Sequence, residues 1–534
     1  MQLRSTPVFL ARRGGVEKIV IAVSVIAIAS LTTLWMSDGP PPGDELSDAP
    51  RVAESPRQPE IADASDAFSD RSDVIQLTRH LSEIHWSDYL GKKVLIPGEL
   101  VVVDSYGLAQ HGQISVAAER LFIPTETIDP NDAAAQNNSV TGDSNVAAIT
   151  KAQKSNNASW IVIEDGVDRS NQYPVPLLPA FGTDLPTLRL GSKVSNLVGK
   201  ITEDRGRFYL VAELPLKITP AERPERPSVG DADVTVASFN VLNYFTTIDN
   251  GSNGTRGADN DEEFKRQTEK LVAAIVGLDA DVIGLMELEN NLDAEQSLVA
   301  AVNKALGKEV YVGCGIPAGF KKAPGAGDQI RVGIIYRKDR VETVGNTQFI
   351  DDFAFVNART PMVQQFRLPG GKESFAVVVN HFKSKGSNNA KGANADRRDG
   401  QGAYNDSRKK QADAVVKYLR GKRMQALVIG DLNSYGQEDP IDTLRAGGLV
   451  DVSKTKATGS SYSYVYYGQA GSLDHCFATP ALADKVTGVA DWHINSDEPR
   501  CLDYNTEYGT GRFYRPDAFR CSDHDPVLIG LQLN

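Results

Sequence analysis

The chain has 534 residues, which is too long for a single hydrophobic core and predicts two or more domains. Hydrophobic residues make up 41% and charged residues 24% of the chain, the composition of an ordinary globular protein. The 57 basic and 69 acidic side chains give a net charge of −12. This balance excludes a uniformly cationic nucleic-acid coat but not a local basic groove, because electrostatic fields act within a Debye length.

The N-terminus has the pattern of a targeting segment. Four basic residues precede the uncharged apolar run 19–36, which is just long enough to span a bilayer. Positive charges before such a run favour a cytoplasmic N-terminus, although the AIA at 27–29 could instead end a signal peptide. Residues 1–36 are therefore interpreted as a signal anchor or a signal peptide. Under either interpretation the protein is exported. An uncleaved segment would anchor it in the membrane through residues 19–36, facing the periplasm or extracellular space. A cleaved segment would leave it secreted.

Composition divides the next part of the chain into three segments. Residues 37–72 contain six prolines with many Asp, Glu and Ser residues, which predicts a disordered acidic stalk. Residues 73–219 contain short apolar runs such as KKVLIPGELVVV and RFYLVAEL, separated by Gly, Pro and Asp, which predicts a small all-β domain. PAERPERPSVGDAD at 220–233 is interpreted as an interdomain linker.

After the linker, strand-like and helical runs alternate. VTVASFN is followed by the amphipathic DEEFKRQTEKLVAAIVGL, then by the buried-strand run DVIGLME and the helical DAEQSLVAAVNKALG. RVGIIYR, FAVVVNHF, QALVIGDLN and VLIGLQL read as further strands. Residues 234–534 are therefore predicted to form one large α/β domain.

Polar residues recur where these apolar runs end. Because the ends of neighbouring strands share one rim of a sheet, such residues are expected to meet in a site. Each residue taken alone is typical of a turn or a solvated surface, but the repeated coincidence favours a common site. The residues are Asn240, Glu287, His381, Asp431, Asn433, Asp474, Asp523 and His524.

These residue types suit one kind of chemistry. Two carboxylates and an amide suit a hard divalent cation such as Mg²⁺ or Mn²⁺, with Ca²⁺ as a further candidate. A further carboxylate can take a proton from water, and imidazoles can stabilise charge on phosphoryl oxygens. The sequence contains no HExxH, CxxC or Gly-x-Ser-x-Gly pattern that would indicate zinc or serine chemistry.

The motifs SFNVLN, GLMELEN, RTPM, NHFKSK, IGDLNS, GSLDH and SDHDPV occur in this order. Together they resemble the endonuclease/exonuclease/phosphatase superfamily, and in particular its large extracellular bacterial nuclease branch. The resemblance implies a deoxyribonuclease-I-like fold, a four-layer α/β sandwich, for residues 234–534. It also implies an OB-like domain at 73–219, on the less specific motif GLAQHGQISVAAERLFIPT.

The resemblance also implies a role for each site residue. Glu287 would be the main metal ligand, with Asn240 and Asp523 close by. Asp431 would be the general base, and Asn433 would position the attacking water.

On the substrate side, His381 and His524 would contact the scissile phosphate, and Asp474 would hold His524. Arg359 would reach the substrate phosphate. Asp328 would support His381.

The superfamily also hydrolyses lipid and inositol phosphates, so the fold does not decide the substrate. The segment 383–410 contains eight basic and three acidic residues, including Arg397 and Arg398, and is predicted to bind a nucleic-acid backbone by charge. The alternative is a solvated loop without a binding role. The favoured function is an exported metal-dependent endonuclease acting on DNA, with RNA as a second candidate. A phospholipase-C-like phosphodiesterase and a noncatalytic DNA-binding surface protein are the alternatives, and no protein partner can be inferred.

Four cysteines fit either free thiols or up to two disulfides in an oxidising compartment. The sequence leaves their pairing open. Cys501 and Cys521 are the first pair to consider, because both flank the same loop.

Overall fold

The computed structural model describes residues 73–130, 145–387, 389–506 and 511–533. The expected targeting segment and acidic stalk at residues 1–72 therefore lie outside the described residues. Within the described ranges, no helix is long and apolar enough to cross a membrane. The described residues form one compact unit.

The N-terminal part of this unit is a β-domain. Its elements are β1 (Ile75–Gln76), β2 (Lys93–Asp104), α1 (Leu108–His111), β3 (Gln113–Ala117), β4 (Leu121–Phe122), α2 (Val146–Ala158), β5 (Trp160–Glu164), β6 (Lys193–Asp204), β7 (Arg207–Ala212) and β8 (Lys217–Thr219). Strands β2, β3, β5, β7 and β6 pair in that order, and β6 pairs back to β2, which closes a five-stranded ring. Only the β5–β7 pairing within the ring is parallel. A five-stranded barrel is the strand number that an OB-like domain requires, and the OB-like assignment itself stays a prediction.

The second part carries the predicted α/β pattern. Its elements are β9 (Val234–Tyr244), α3 (Asp261–Leu278), β10 (Val282–Glu289), α4 (Asp293–Leu306), β11 (Tyr311–Gly313), β12 (Ile330–Arg337), β13 (Glu342–Phe349), β14 (Arg359–Arg367), β15 (Phe375–His381), α5 (Asn405–Lys422), β16 (Ala426–Asp431), α6 (Asp439–Ala446), β17 (Val450–Asp451), α7 (Val452–Thr455), β18 (Tyr464–Tyr466), β19 (Gln469–Gly471), β20 (Asp474–Ala478), α8 (Pro480–Ala483), β21 (Val486–Asp491) and β22 (Val527–Leu531). The helix predicted to start near Asp261 is confirmed, and the Asn260 side chain caps it by accepting a hydrogen bond from the Glu263 N–H.

Two six-stranded sheets pack face to face. One has the order β11-β12-β10-β9-β22-β21 and the other β13-β14-β15-β16-β20-β17. Side chains alternate between the faces of a strand, so Val377 and Val379 point into the core between the sheets while Val378 packs against the α5 layer. The α3 and α4 helices cover the outer face of the first sheet in the same way. The predicted four-layer α/β sandwich is therefore confirmed.

The sheets approach closely behind the site. A Cβ atom added at Gly284 would lie 2.7 Å from a methyl group of Val379 and 2.8 Å from one of Ile429. Only a glycine leaves room for the facing valine and isoleucine at this position, so β10 and β15 can bring their polar ends together.

A buried ionic cluster joins the barrel to the sandwich. Glu498 accepts hydrogen bonds from Arg189 (2.8 Å) and from Arg223 (3.0 Å), and Asp497 pairs with Arg120 (2.9 Å) and Arg189 (3.3 Å). Both carboxylates are almost fully buried. Removing one partner of a buried ion pair is strongly destabilising because the remaining charge is left unpaired. The acidic pair therefore holds the two parts of the chain together.

The segment 220–233, interpreted as a linker, is packed along much of its length. The Arg223 guanidinium lies 4.0 Å from the centre of the Phe519 ring. Arg226 donates to the carbonyl of Leu278 (2.6 Å), and Val229 is buried. Its composition suggested a free connection, but these contacts fix it against the sandwich.

All four cysteines are free thiols in the structure. The pairing of Cys501 with Cys521 considered from the sequence is therefore not formed. Burial raises the pKa of the Cys501 thiol to about 12 and that of Cys521 to about 12, so both are protonated at neutral pH.

Candidate active site

Four of the expected residues form a row across one sheet. Arg359 on β14 is paired with His381 on β15, His381 with Asp431 on β16, and Asp431 with Asp474 on β20. Each residue stands directly opposite the next, so backbone pairing alone brings the four to one rim. The prediction that these strand ends share an edge is confirmed for this sheet.

The facing sheet contributes Glu287 through a β-bulge. The register of β10 shifts around this residue, and its backbone has φ of 67°, a conformation uncommon for a non-glycine residue. The Glu287 carboxylate accepts hydrogen bonds from the Asn240 amide (3.2 Å) and from the backbone N–H of Asn243 (2.9 Å). Strain of this kind persists where the surroundings enforce it, often at functional sites.

His524 completes the site from the loop before β22. Its Nδ1 lies 2.6 Å from Asp474 Oδ2, and its Nε2 lies 4.0 Å from Asp431 Oδ2. The Tyr464 ring covers the imidazole, with ring centres 4.7 Å apart. The predicted contact between Asp474 and His524 is thus present in the structure.

Asp431 lies between two imidazoles. His381 Nε2 is 3.3 Å from Asp431 Oδ2 and 3.9 Å from Glu287 Oε1, which links the two sheets. The other Asp431 oxygen accepts a hydrogen bond from the backbone N–H of Asn433 (2.8 Å). Asn433 itself adopts a left-handed conformation (φ 48°) and donates its amide to the carbonyl of Phe382 (3.2 Å).

The ionisable side chains of the site differ in their protonation at neutral pH. Burial raises the pKa of Asp431, but the hydrogen bond from His381 and the charge of His524 outweigh burial and hold this pKa below its usual value. Burial likewise opposes charge on His524, yet Asp474 and Asp431 raise its pKa well above the usual value. Burial and the charge of Arg359 lower the pKa of His381. At neutral pH, the site therefore holds an imidazolium at His524, a carboxylate at Asp431 and a neutral His381.

The side chains expected to hold a metal carry the donor atoms of a hard divalent cation, and two of them, Glu287 and Asn240, are in contact (3.2 Å). Glu287 and Asp523 offer carboxylate oxygens and Asn240 an amide oxygen, the donor types that such ions prefer. Oδ1 of Asp523 is buried and has no hydrogen-bond partner in the described part of the chain, so it is available to a ligand. No cluster of three or more His, Cys, Asp or Glu side chains able to hold a metal is found within 73–130, 145–387, 389–506 and 511–533.

Asp525 anchors the loop that carries His524. Its carboxylate accepts hydrogen bonds from the N–H groups of Asn495 (2.8 Å) and Ser496 (3.0 Å) and contacts His493 Nδ1 (2.9 Å). Asn495 also donates its amide to the carbonyl of His524 (2.7 Å). These bonds tie the 493–496 segment to the 521–525 loop and fix the backbone that carries His524.

Arg359, at one end of the row, is buried and donates to the carbonyl of Phe382 (2.8 Å). Asp328 faces arginines, at 3.4 Å from Arg256 and 3.9 Å from Arg359. The expected support of His381 by Asp328 is wrong, because His381 Nδ1 has no hydrogen-bond partner among the described residues.

The predicted backbone-binding arginines stand apart. Arg397 and Arg398 are exposed, and within the described ranges no contact joins either side chain to the row. Arg398 uses its own N–H to bond Asp396 (2.8 Å). His475, next to Asp474, has a structural contact, since its Nε2 lies 2.7 Å from the carbonyl oxygen of Ser434.

A polar cavity adjoins the metal-site residues. Its volume is about 290 Å³, and it is lined by Leu242, Asn243, Arg256, Arg500, Asp503, Tyr504 and Asn505. Asn243 is shared with the Glu287 carboxylate, so the cavity opens beside the site. The sequence motif LDYN supplies three of these residues, but sequence reasoning assigned them no function.

A four-layer sandwich with carboxylates, an amide and two imidazoles at its strand ends defines a deoxyribonuclease-I-like phosphate-ester hydrolase. The Endonuclease/Exonuclease/phosphatase family matches residues 237–524, and the chain belongs to this family. Its members are generally hydrolases of phosphodiester or phosphate bonds and typically use divalent metals. The match does not include the barrel.

Solved structures of low sequence identity resemble the chain. A family protein from Bacteroides vulgatus is 17% identical, with 56% of this chain and 99% of that chain covered and a TM-score of 0.37. A mannosyl-6-phosphatase from Bacteroides thetaiotaomicron is 16% identical (56% and 100% covered, TM-score 0.36). The human Nocturnin catalytic domain is 14% identical (57% and 97% covered, TM-score 0.36). Among curated proteins, none matches the chain.

Proposed function

We propose that this protein is an exported, divalent-metal-dependent nuclease that hydrolyses phosphodiester bonds in DNA, with RNA as a second candidate. The observation that carries the proposal is the position of ionised Asp431 between His381 and the imidazolium of His524, opposite Glu287. This arrangement offers one group that can accept a proton, one that can donate to an anion, and a carboxylate, Glu287, that could bind a cation.

In the proposed reaction, a water molecule hydrogen-bonded to Asp431 attacks the phosphorus in line with the leaving oxygen. The water gives its proton to Asp431, the P–O3′ bond breaks, and the 3′ oxygen leaves as a hydroxyl after taking up a proton from solvent. Asn433, bonded through its N–H to Asp431, would orient the same water. The products are a 5′-phosphate and a 3′-hydroxyl.

The phosphate would lie against His524. The imidazolium can donate from Nε2 to a phosphoryl oxygen, while Asp474 holds Nδ1 at 2.6 Å and Tyr464 covers the ring. Preorganised donors of this kind stabilise charge that develops in the transition state. Arg359 adds positive charge at one end of the row. A divalent ion held by Glu287, Asn240 and Asp523 would neutralise further phosphate charge when bound.

Two features favour a substrate with several phosphates. The cavity beside Asn243 contains Arg256 and Arg500, and arginine is well suited to phosphate recognition. The exposed pair Arg397 and Arg398 adds positive charge on the 383–410 segment. A nucleic-acid backbone presents phosphates at regular spacing, so neighbouring phosphates could be held while one is hydrolysed.

The test is cleavage of plasmid DNA by the purified full chain with Mg²⁺ or Mn²⁺, with and without a chelator. The Glu287→Gln variant should lose most activity and bind metal more weakly while its circular dichroism spectrum is unchanged. Glu342→Gln, the same chemical change on the exposed strand β13, is the matched control and should behave like the wild type.

The two alternative functions, a phospholipase-C-like enzyme and a noncatalytic DNA-binding protein, predict different results. Hydrolysis of phospholipid vesicles without cleavage of DNA would identify a phospholipase-C-like enzyme. Binding of DNA without cleavage under any metal condition would identify a noncatalytic binding protein. Equal activity of Glu287→Gln and the wild type across a metal titration would refute the assignment of Glu287.

A further inference from the structure

A hairpin beside the active site presents tyrosines to solvent. Strands β18 and β19 pair from Tyr464 opposite Gly471 to Tyr466 opposite Gln469, which leaves Tyr467 and Gly468 as a two-residue turn. Both turn residues have positive φ, 46° and 72°. Such turns favour Asn or Asp followed by Gly, and a bulky side chain at positive φ is unusual. A tyrosine therefore occupies a position where the backbone disfavours it.

The two tyrosines at the tip are not buried in any core. Tyr466 is 44% exposed and Tyr467 is 54% exposed. Their rings meet edge to face, with centres 4.6 Å apart and planes at 82°. This contact fixes both rings and leaves ring faces open to solvent, as is common where aromatic side chains bind a partner.

The base of the same hairpin is part of the active site. Tyr464 packs on His524, and Tyr464 and Tyr466 point to the same face because side chains alternate along a strand. Two residues of strand span about 7 Å. That length equals about two base-stacking steps of 3.4 Å. Tyr466 therefore lies about two base steps along the strand from Tyr464, which packs on His524.

The hairpin is held by the barrel. The Gln469 side chain accepts a hydrogen bond from Asn156 on α2 (2.7 Å), and β19 pairs with β4. A Cβ atom at Gly468 would lie 3.6 Å from the Asp104 side chain. Tyr106, two residues further on, is 59% exposed and donates its N–H to Asp104 (2.7 Å). A third exposed tyrosine thus stands on the barrel next to the hairpin tip.

Tyr106 also connects the hairpin to the polar cavity. The Arg500 guanidinium, which lines the cavity, lies 4.6 Å from the centre of the Tyr106 ring. A cation placed on one face of a ring leaves the other face for a base, and arginine and aromatic planes commonly hold unpaired bases together. Arg500 thus links the exposed Tyr106 ring to the cavity beside Asn243.

We propose that Tyr466, Tyr467 and Tyr106 form a stacking surface for unpaired bases beside the scissile phosphate. The preferred substrate is then single-stranded or locally unpaired nucleic acid. Bases within a duplex already have both faces covered by their neighbours, whereas unpaired bases can stack on aromatic side chains. This inference rests on the proposed function, since it assigns a substrate class to the same site.

The experiment compares a double variant, Tyr466→Ala with Tyr467→Ala, with the ring-preserving Tyr466→Phe with Tyr467→Phe. Tyr173→Ala, which removes an exposed barrel tyrosine (49% exposed), is the control. Binding of a single-stranded oligonucleotide is measured in the presence of a chelator, so that cleavage does not interfere. The kcat/KM values are then measured with divalent metal for the single strand, the matching duplex and bis(4-nitrophenyl) phosphate.

Loss of a stacked base costs about 1–3 kcal/mol, so the alanine variant should bind the single strand roughly 5- to 150-fold more weakly. The phenylalanine variant and the control should remain within about twofold of the wild type, because stacking needs only the ring. Cleavage of the small phosphodiester should be unchanged, since it has no bases to stack. An oligonucleotide that lacks its bases at the positions next to the cut should show no difference between the wild type and the alanine variant.

Other outcomes separate the inference from the proposed function. If the wild type neither binds nor cleaves any nucleic acid, the proposed function fails. If it cleaves DNA but the alanine variant keeps wild-type binding of the single strand, the stacking surface is refuted. Equal losses on the single strand and on the small phosphodiester would also refute it, because the hairpin would then only support His524.

Discussion

Glu126 connects the barrel to two loops of the active site, and its replacement should impair catalysis from a distance. Its Oε2 accepts hydrogen bonds from the backbone N–H groups of Gly436 (3.2 Å) and Ser472 (3.0 Å). Asn433 lies three residues before the first loop contact, and Asp474 two residues after the second. Glu126→Ala would therefore release the backbone near both residues at once.

The size of the effect follows from these two bonds. A hydrogen bond to a charged group contributes about 1.5–3 kcal/mol, so the two together contribute at most about 3–6 kcal/mol. Glu126 is half-buried and water can replace part of the loss, so we expect about 2–3 kcal/mol of loop anchoring to disappear. A displacement of about 1 Å in catalytic groups can cost about 100-fold in rate. We expect kcat to fall about 10- to 100-fold, with KM changed by less than about threefold.

The assay measures kcat and KM on a short DNA strand and on bis(4-nitrophenyl) phosphate, and both substrates should lose the same factor. Glu126→Gln keeps an acceptor oxygen and should recover part of the rate. Glu119→Ala removes an exposed glutamate of the same domain and serves as the control. If Glu126→Ala keeps kcat within about twofold of the wild type while its melting temperature falls, the bonds only stabilise the fold and the reasoning is refuted.

Three further predictions concern the Asp474–His524 pair, the 383–410 segment and the pH dependence of stability. Asp474→Asn and His524→Ala should each lower kcat/KM by about 10²–10⁴, with the double variant scarcely worse; additive losses in the double-mutant cycle would mean that they act independently. Replacing Arg397 and Arg398 with Gln should raise KM for long DNA and flatten its salt dependence, and an equal effect on a small phosphodiester would contradict a binding role. Burial lowers the pKa of Lys385 from its ordinary value of 10.5 to about 8 in the folded protein. Between these two pH values, the unfolded chain therefore keeps a proton on this lysine that the folded protein has lost. The contribution of this lysine to the free energy of unfolding should rise across that window, by about 3 kcal/mol at most; Lys385→Met should remove this rise in urea unfolding, and an unchanged pH dependence would contradict it.

The sequence predicted candidate site residues where they lie at the end of an apolar run. Asn240, Glu287, His381, Asp431 and Asp474 each follow or begin such a run, and strand pairing then brings them to one rim. A strand end is a local property, so it can be read without knowledge of the tertiary structure. The bulge at Glu287 could not be read, since it depends on the pairing of β10 with both neighbours.

The contacts between the two parts of the chain left no such signal. Glu126 bonds to backbone N–H groups more than 300 residues away, and backbone groups have no residue-specific pattern. Nothing in the sequence distinguishes Glu498 and Arg189 from exposed charged residues, and only the structure shows that they are buried and paired. The tyrosine hairpin is different, because the alternation in SYSYVYYGQAG is typical of a hairpin with a glycine turn. Its relation to His524 needed the structure.

The active site forms only when four strands are paired in the correct register, because Arg359, His381, Asp431 and Asp474 stand opposite one another across the sheet. Neighbouring strands lie about 4.8 Å apart, so backbone pairing sets the spacing of these groups to a first approximation. A slip of one residue in any of the four strands would turn its side chain to the opposite face. A compact but misaligned sheet would therefore be inactive, and the return of activity during refolding would report that alignment is complete.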